Sequence, residues 1–167
     1  MSEIRVAGTV NDSIVDGSGI RFTIFVQGCP HHCKDCHNPQ THDFNGGEII
    51  DTDILFEKIK SNPLLDGVTF SGGEPFCQAE VLAELGRKIK SVKLNIVTYT
   101  GYTFEELYSN RDKNHWGELL KITDILIDGK FIPELKSWET KFRGSSNQRY
   151  IDCQLSLEKG IAIETEP

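Results

Sequence analysis

The chain has 167 residues, a formal net charge of −7 at pH 7, 38% hydrophobic residues and 15 glycines, which suits one folded domain with a substantial core and leaves little for a second. The acidic balance argues against nucleic acid and against an anionic membrane surface, both of which ask for a basic footprint, and it leaves a protein partner or a small molecule. Met1-Ser2-Glu3-Ile4-Arg5 has neither the cationic start nor the apolar core of a signal peptide, and no apolar run approaches a membrane span; a cytoplasmic protein is expected, in which five cysteines point to metal or redox duty before disulfides.

No internal repeat, low-complexity tract or Pro/Gly/Ser-rich linker divides the sequence, so residues 1–167 are expected to form one domain. A short strand over 4–10 precedes Asp16-Gly17-Ser18-Gly19, a turn by composition. The β-branched and aromatic run over 20–26 then reads as a second strand. It delivers Gln27-Gly28-Cys29-Pro30-His31-His32-Cys33-Lys34-Asp35-Cys36-His37-Asn38-Pro39, which holds three of the five cysteines spaced C-x3-C-x2-C. Residues 51–61 set Ile54, Leu55 and Ile59 at helical spacing behind Asp51 or Thr52 as cap. A strand over 67–71 ends in Gly72-Gly73-Glu74-Pro75, and a helix over 78–91 gathers Val81, Leu82, Leu85 and Ile89 on one face. The strand over 94–99 breaks at Gly101, and Thr103-Phe104-Glu105-Glu106 fits a capping box that opens another helix. A weaker helix over 116–122, a strand over 124–128 stopped by Gly129, and a last strand over 150–155 complete the order.

Strand and helix alternate through the middle of the chain, which implies parallel strands joined by right-handed crossovers. The fold class is therefore α/β. About five or six strands fall short of the eight of a closed barrel, and the pattern permits a partial barrel and an open doubly wound sheet equally. Each candidate site residue follows the C-terminal end of a strand, where such folds place their ligands.

Three thiolates so close together suit one metal centre. A structural zinc or a closed iron-sulfur cluster wants four protein ligands, whereas three leave one coordination position free for something that is not protein. The same residues admit other readings. Cys33-Lys34-Asp35-Cys36-His37 is also a C-x-x-C-H haem attachment pattern, a zinc knuckle can draw on His31, His32, His37 or His42, and reduced cysteines without metal are a third option. Cys77 and Cys153 read as reduced thiols packed like small hydrophobes. Gly72 and Gly73 let backbone approach a ligand, and the Glu74 carboxylate can accept from an ammonium group, although such a turn is often purely structural. The hydroxyls of Thr98-Tyr99-Thr100-Gly101 suit a polar ligand, or equally saturate their own backbone.

The C-x3-C-x2-C loop after a strand, with Ser71-Gly72-Gly73-Glu74-Pro75 at the end of the next, resembles the radical S-adenosylmethionine superfamily. The resemblance implies a partial (β/α) barrel of about six mostly parallel strands. It implies that Cys29, Cys33 and Cys36 ligate three irons of a catalytic 4Fe-4S cluster, whose fourth iron chelates the amino and carboxylate groups of S-adenosyl-L-methionine. It further implies that Gly73 and Glu74 hold the amino group, that Thr98 and its neighbours meet the carboxylate and ribose, and that Asp35, Cys36 and His37 face the adenine. Many relatives place an aromatic residue before the third cysteine, where this chain has Asp35.

Asp16-Gly17-Ser18-Gly19-Ile20-Arg21, leading through Phe25-Val26-Gln27-Gly28-Cys29, resembles the approach to the cluster in activators of glycyl-radical enzymes. Asp128-Gly129-Lys130-Phe131 and Arg143-Gly144-Ser145-Ser146-Asn147-Gln148-Arg149 resemble, within that family, the activators of the anaerobic (class III) ribonucleoside-triphosphate reductase. What this implies is an oxidoreductase that cleaves S-adenosyl-L-methionine reductively and generates a glycyl radical on the large glycyl-radical subunit of anaerobic ribonucleotide reductase. A flavodoxin- or ferredoxin-type electron donor is implied, with neither nucleic acid nor membrane as partner. The alternatives are another small radical enzyme, of pyruvate formate-lyase activator or deazaguanine-forming type, and a zinc-binding adaptor. The segment 144–149 reads either as a turn or as a device, through Asn147, Gln148 or Arg149, that closes over the cofactor or meets the partner.

Overall fold

A computed structural model of the chain describes residues 2–36 and 38–167; His37, one of the expected cofactor contacts, lies outside the described residues. The strands are β1 (Glu3–Ser13), β2 (Arg21–Val26), β3 (Glu48–Asp51), β4 (Gly67–Gly72), β5 (Asn95–Tyr99), β6 (Ile125–Asp128) and β7 (Arg149–Asp152). The helices are α1 (Thr52–Lys60), α2 (Ala79–Ser91), α3 (Phe104–Ser109), α4 (Trp116–Ile122) and α5 (Cys153–Lys159). The seven strands form one sheet in the order β3-β1-β2-β4-β5-β6-β7. Its middle, β2-β4-β5-β6, is parallel, and β1, β3 and β7 are antiparallel additions at the edges.

The parallel strands β2, β4, β5 and β6 lie side by side in chain order, each added in the same direction, while β3, which falls between β2 and β4 in sequence, lies at the far edge beyond β1. With right-handed crossovers, that places every connecting helix on one face of the sheet, as in a barrel; a doubly wound sheet needs a reversal of direction. The register agrees. Phe22, Val68 and Ile96 form one rung, and Ile24, Phe70, Thr98 and Leu126 the next. Their apolar members share a core with Leu55 and Ile59 of α1, Leu82, Leu85 and Ile89 of α2, and Leu119 and Leu120 of α4. Strand alternation sends the intervening residues to the opposite face, where Val97, Ile127 and Tyr150 cluster with Tyr99, Ile125 and Phe142. On that face Arg21 is 1% exposed. It donates to Thr69 Oγ1 (2.7 Å) and to the carbonyls of Ser18 (2.9 Å), Val68 (2.9 Å) and Asn95 (3.3 Å), which satisfies a buried cation with neutral acceptors.

The helices follow their local signals. Asp51 caps α1 by accepting from Asp53 N, and the capping box of Thr103 and Glu106 opens α3. Three expectations are corrected. β3 was not anticipated, because Glu48-Ile49-Ile50-Asp51 lacks the alternation of a half-buried strand; it is a strand only through its ladder with β1, from Glu3 opposite Asp51 to Val6 opposite Glu48. The strand expected over 150–155 ends at Asp152, whose side chain accepts from Leu155 N and starts α5. Cys77, expected in the core, is exposed, whereas Cys153 is buried as expected. Among the described residues no helix is long and apolar enough to cross a membrane.

Candidate functional site

The C-terminal ends of the four parallel strands open on one cavity of about 810 Å³, lined by Cys29, Cys33 and Cys36 after β2, Gly72 and Gly73 after β4, Tyr99, Thr100 and Gly101 after β5, and Gly129 and Lys130 after β6. A separate cavity of about 670 Å³ is lined by Cys77, Phe76, Tyr102 and Trp116 and by none of the three motif cysteines. The chemistry therefore belongs to the first.

The cysteine loop has little regular structure, and its base is tied shut. Gly28 N donates to Thr41 O (2.7 Å) and Cys29 N to His42 O (3.2 Å). Gln27, 4% exposed, sends its amide to Gln40 O (3.0 Å) and Asp43 O (2.6 Å). This brace was not read from the sequence, where a lone glutamine before a cysteine carries no signal. Within the loop, Cys36 N donates to Cys33 O (3.2 Å) around a left-handed Asp35 (φ 56°). Asp35 is exposed and does not line the cavity.

The second strand end is locked to the first by backbone. Gly73 N donates to Val26 O (2.7 Å) and Glu74 N to Gly28 O (2.8 Å). A Cβ at Gly73 would stand 2.4 Å from Gly28 O, and Gly72 holds φ +92°, a region that L side chains rarely enter. The two glycines are thus required by the close approach of the strand ends, and they leave bare backbone facing the cavity.

Glu74 and Thr98 are not among the residues that line the cavity. The Glu74 carboxylate is fully buried and accepts from Phe76 N (3.0 Å), Gly101 N (2.8 Å), Thr100 Oγ1 (3.0 Å) and His31 Nε2 (2.5 Å). It spends itself on the protein and clasps the β2, β4 and β5 loops together. Thr98 shares a rung with Phe70 and Leu126 and so faces the helices. Since Thr123 gives its own hydrogen to Leu119 O, Thr98 donates to Thr123 Oγ1 (2.9 Å). Alternation turns Tyr99 toward the cavity instead, and Thr100 and Gly101 follow; counting inward from the core residue Ile96 identifies Thr98 as a core-facing position.

The segment 144–149 is knitted to the β6 end. Gln148 Oε1 accepts from Gly144 N (2.7 Å) while its amide donates to Gly129 O (2.9 Å), and Asn147 donates to Lys130 O (2.9 Å). Arg149 pairs with Asp128 (3.0 and 2.5 Å) and Glu105 (2.6 Å). Those pairings hold the arginine charged and push its pKa up, with the Asp128 hydrogen bond the largest cause. Of the three, Gln148 lines the cavity.

The donor set fits an iron-sulfur cluster, whose irons take thiolate ligands. All three thiols are free. Thiolates on an iron-sulfur cluster each take a separate iron. Burial pushes the Cys29 thiol up to about 11, so the thiolate needs cationic compensation, which coordination supplies.

A family model described as a 4Fe-4S single cluster domain matches residues 15–151. The chain is similar to proteins named anaerobic ribonucleoside-triphosphate reductase-activating protein. That of Haemophilus influenzae is 37% identical over 145 residues, with 81% of this chain and 89% of the relative covered. That of Escherichia coli K12 is 32% identical over 143 residues, with coverages of 81% and 90%, and that of Enterobacteria phage T4 is 33% identical over 144 residues, with 81% and 85%. The crystal structure of QueE from Escherichia coli matches with a TM-score of 0.48 and 16% identity over 60% of this chain and 53% of that one, a likeness too slight to carry an inference. With two thirds or more of each of these activating proteins matched above 30% identity, and the cluster-domain match spanning all three motif cysteines, the chain belongs to the family of anaerobic ribonucleoside-triphosphate reductase-activating proteins.

Proposed function

We propose that the protein is a radical S-adenosylmethionine activase of anaerobic ribonucleoside-triphosphate reductase, with Cys29, Cys33 and Cys36 holding a 4Fe-4S cluster and residues 1–167 acting as one domain. The observation that supports it most is the gathering of three free thiols and the bare Gly72-Gly73 backbone around one cavity at the C-terminal strand ends. When bound, the cluster and S-adenosyl-L-methionine supply a one-electron reductive cleavage whose outcome is a glycyl radical on the large subunit of the reductase. The electron comes from a flavodoxin- or ferredoxin-type donor. Free thiols and an oxygen-sensitive cluster suit a reducing cytoplasm.

The chain's own residues bind, orient and seal. Backbone bonds between Gly73 and Val26 and between Glu74 and Gly28 fix the cysteine loop against the glycine turn. The buried Glu74 clasp holds Thr100 and Gly101 in the same frame, so hydrogen bonds join three strand ends, the pre-organisation that positioning chemistry requires. Tyr99 OH donates to Phe142 O (2.7 Å) and packs with Phe142, which ties the 130–148 segment to the sheet. No side chain here is asked to move a proton in the reaction.

The test is anaerobic reconstitution with iron and sulfide, then reduction in the presence of S-adenosyl-L-methionine. Methionine and 5′-deoxyadenosine are expected as products, and addition of the large subunit should produce a glycyl radical signal and oxygen-dependent cleavage of that subunit at one glycine. A colourless protein that carries zinc and forms neither product would remove the reading.

A further inference from the structure

Among the described residues, two buried side-chain polar atoms have no hydrogen-bond partner, His42 Nε2 and Thr140 Oγ1. A hydroxyl can rotate toward a neighbour, but a packed imidazole cannot, and buried polar atoms in folded proteins are almost always paired. The His42 ring is packed. It stands edge-on against His32, with ring centroids 5.4 Å apart. Its backbone is fixed on both sides, since His42 N donates to Pro39 O (3.2 Å) and His42 O accepts from Cys29 N (3.2 Å).

His42 ends a short layer that backs the cysteine loop. Residues 39–41 make one turn of 3-10 helix, in which Thr41 is buried and its hydroxyl donates to Asn38 O (2.6 Å). At the start of this layer Asn38 N donates to Cys36 Sγ (3.4 Å), so one N–H is already aimed at a motif sulfur. At its end His42 sits between the other two cysteines, its carbonyl on the amide of Cys29 and its ring against His32, which precedes Cys33. His31 is not free for the same duty, because its Nε2 is spent on Glu74. No cysteine sulfur and no other atom of the described chain serves His42 Nε2. The missing partner is therefore something that the loop receives.

We infer that His42 Nε2–H donates a hydrogen bond to a sulfur of the 4Fe-4S cluster held by Cys29, Cys33 and Cys36, and thereby raises the reduction potential of that cluster. This rests on the proposed function, which places the cluster there. Thiolate and sulfide sulfurs can only accept, and an acceptor at Nε2 fixes the ring proton on that nitrogen. Reduction adds one negative charge to the cluster, so an N–H held against its sulfur favours the reduced state over the oxidised one; hydrogen bonds to the sulfurs are among the factors that set iron-sulfur potentials. The donor works against its surroundings. The chain carries a net charge of −7, and the fully buried Glu74 carboxylate is close enough to Cys29 to bear on its charge, both of which disfavour an added electron.

The test compares the anaerobically reconstituted parent with His42→Gln, His42→Asn and His42→Leu, each titrated against a viologen dye while the reduced cluster is followed by electron paramagnetic resonance. Iron and sulfide content should match the parent in all three. The Gln amide nitrogen reaches the place of the imidazole Nε2 and should hold the parent potential. The Asn amide stops short of it, and Leu has no donor. At a fixed dye poise the ratio of reduced to oxidised cluster should fall about tenfold in His42→Asn and His42→Leu, a downward shift of about 59 mV for a one-electron couple. A packing role would set Leu apart from the two amides, whereas a donor role groups Gln with the parent. An unchanged potential in His42→Leu overturns the inference, as does a shift in His42→Gln equal to that in His42→Asn, or loss of the cluster from any of the three, which would make His42 a support of the loop. If the parent assembles its cluster and fails to cleave S-adenosyl-L-methionine, the proposed function falls while the potentials still judge His42; a parent that assembles no cluster removes both.

Discussion

Cys33 stands half-buried on the cavity wall, within a loop closed by the Gly28–Thr41 and Cys29–His42 backbone bonds. Its sulfur has no hydrogen-bond partner among the described residues, so Cys33→Ser should abolish iron binding and cleavage of S-adenosyl-L-methionine together, with the circular dichroism spectrum retained; full iron content in the variant would overturn the ligand assignment. Glu74 makes the opposite prediction. An amide cannot accept at both ends, and Glu74→Gln turns an NH₂ toward the donors of Phe76, Gly101, Thr100 or His31. Hydrogen bonds to a buried charge are worth about 1.5–3 kcal/mol each, and orphaned buried donors cost a similar amount. Urea unfolding should register a loss of about 2 kcal/mol or more, along with weaker cofactor binding from a loosened frame. A variant as stable as the parent would mean that the clasp is not structural. The cysteines were legible from spacing, because ligand spacing within one loop is covalent information. The inward turn of Glu74 was not, since it depends on donors from three separate loops.

Among the elements, α2 couples the sheet to α4 most tightly. Gly86 lies on its buried face, and a Cβ there would stand 2.4 Å from Ile122 Cδ1 and 3.4 Å from Ile96 Cδ1. Replacing a helical glycine by alanine gains about 1 kcal/mol in propensity, but overpacking a filled core costs about 1–3 kcal/mol. Gly86→Ala should therefore be neutral to destabilising by up to about 2 kcal/mol in a urea titration, never stabilising. The helix was readable from its apolar spacing at Leu82, Leu85 and Ile89, and α3 from its capping box, because both signals are local. β3 and the strand-to-helix switch at Asp152 were not: the first exists only as a partner of β1, and the second hinges on where the ladder with β6 stops.

For the molecule as a whole, the site and the core are physically separate. The main apolar cluster is made almost entirely of strand and helix residues and contains none of the three motif cysteines. Chelating the iron from reconstituted protein should therefore leave the far-UV spectrum unchanged and shift the thermal midpoint by only a few degrees, the scale of about 1 kcal/mol in a domain of this size. Cooperative unfolding on chelation would show instead that the cluster holds the fold. The same separation explains why Cys77→Ser is expected to spare both cluster and activity: Cys77 lines the other cavity.

The sequence by itself determined the thiolate loop, the glycine pair one strand later, the alternation of strand and helix, and the placement of the cysteines and the glycine pair at strand ends. These are set by spacing and local propensity. Only the tertiary structure decided that the four parallel strands advance in one direction, so that the helices share one face, and which strand-end side chains look into the cavity. Alternation and burial turn Thr98 and Glu74 into the protein and leave Tyr99, Thr100 and the bare glycine backbone toward the cysteines. A side chain's direction at a strand end depends on register with its neighbours and on competing hydrogen-bond donors, and neither is written in the order of residues along one chain.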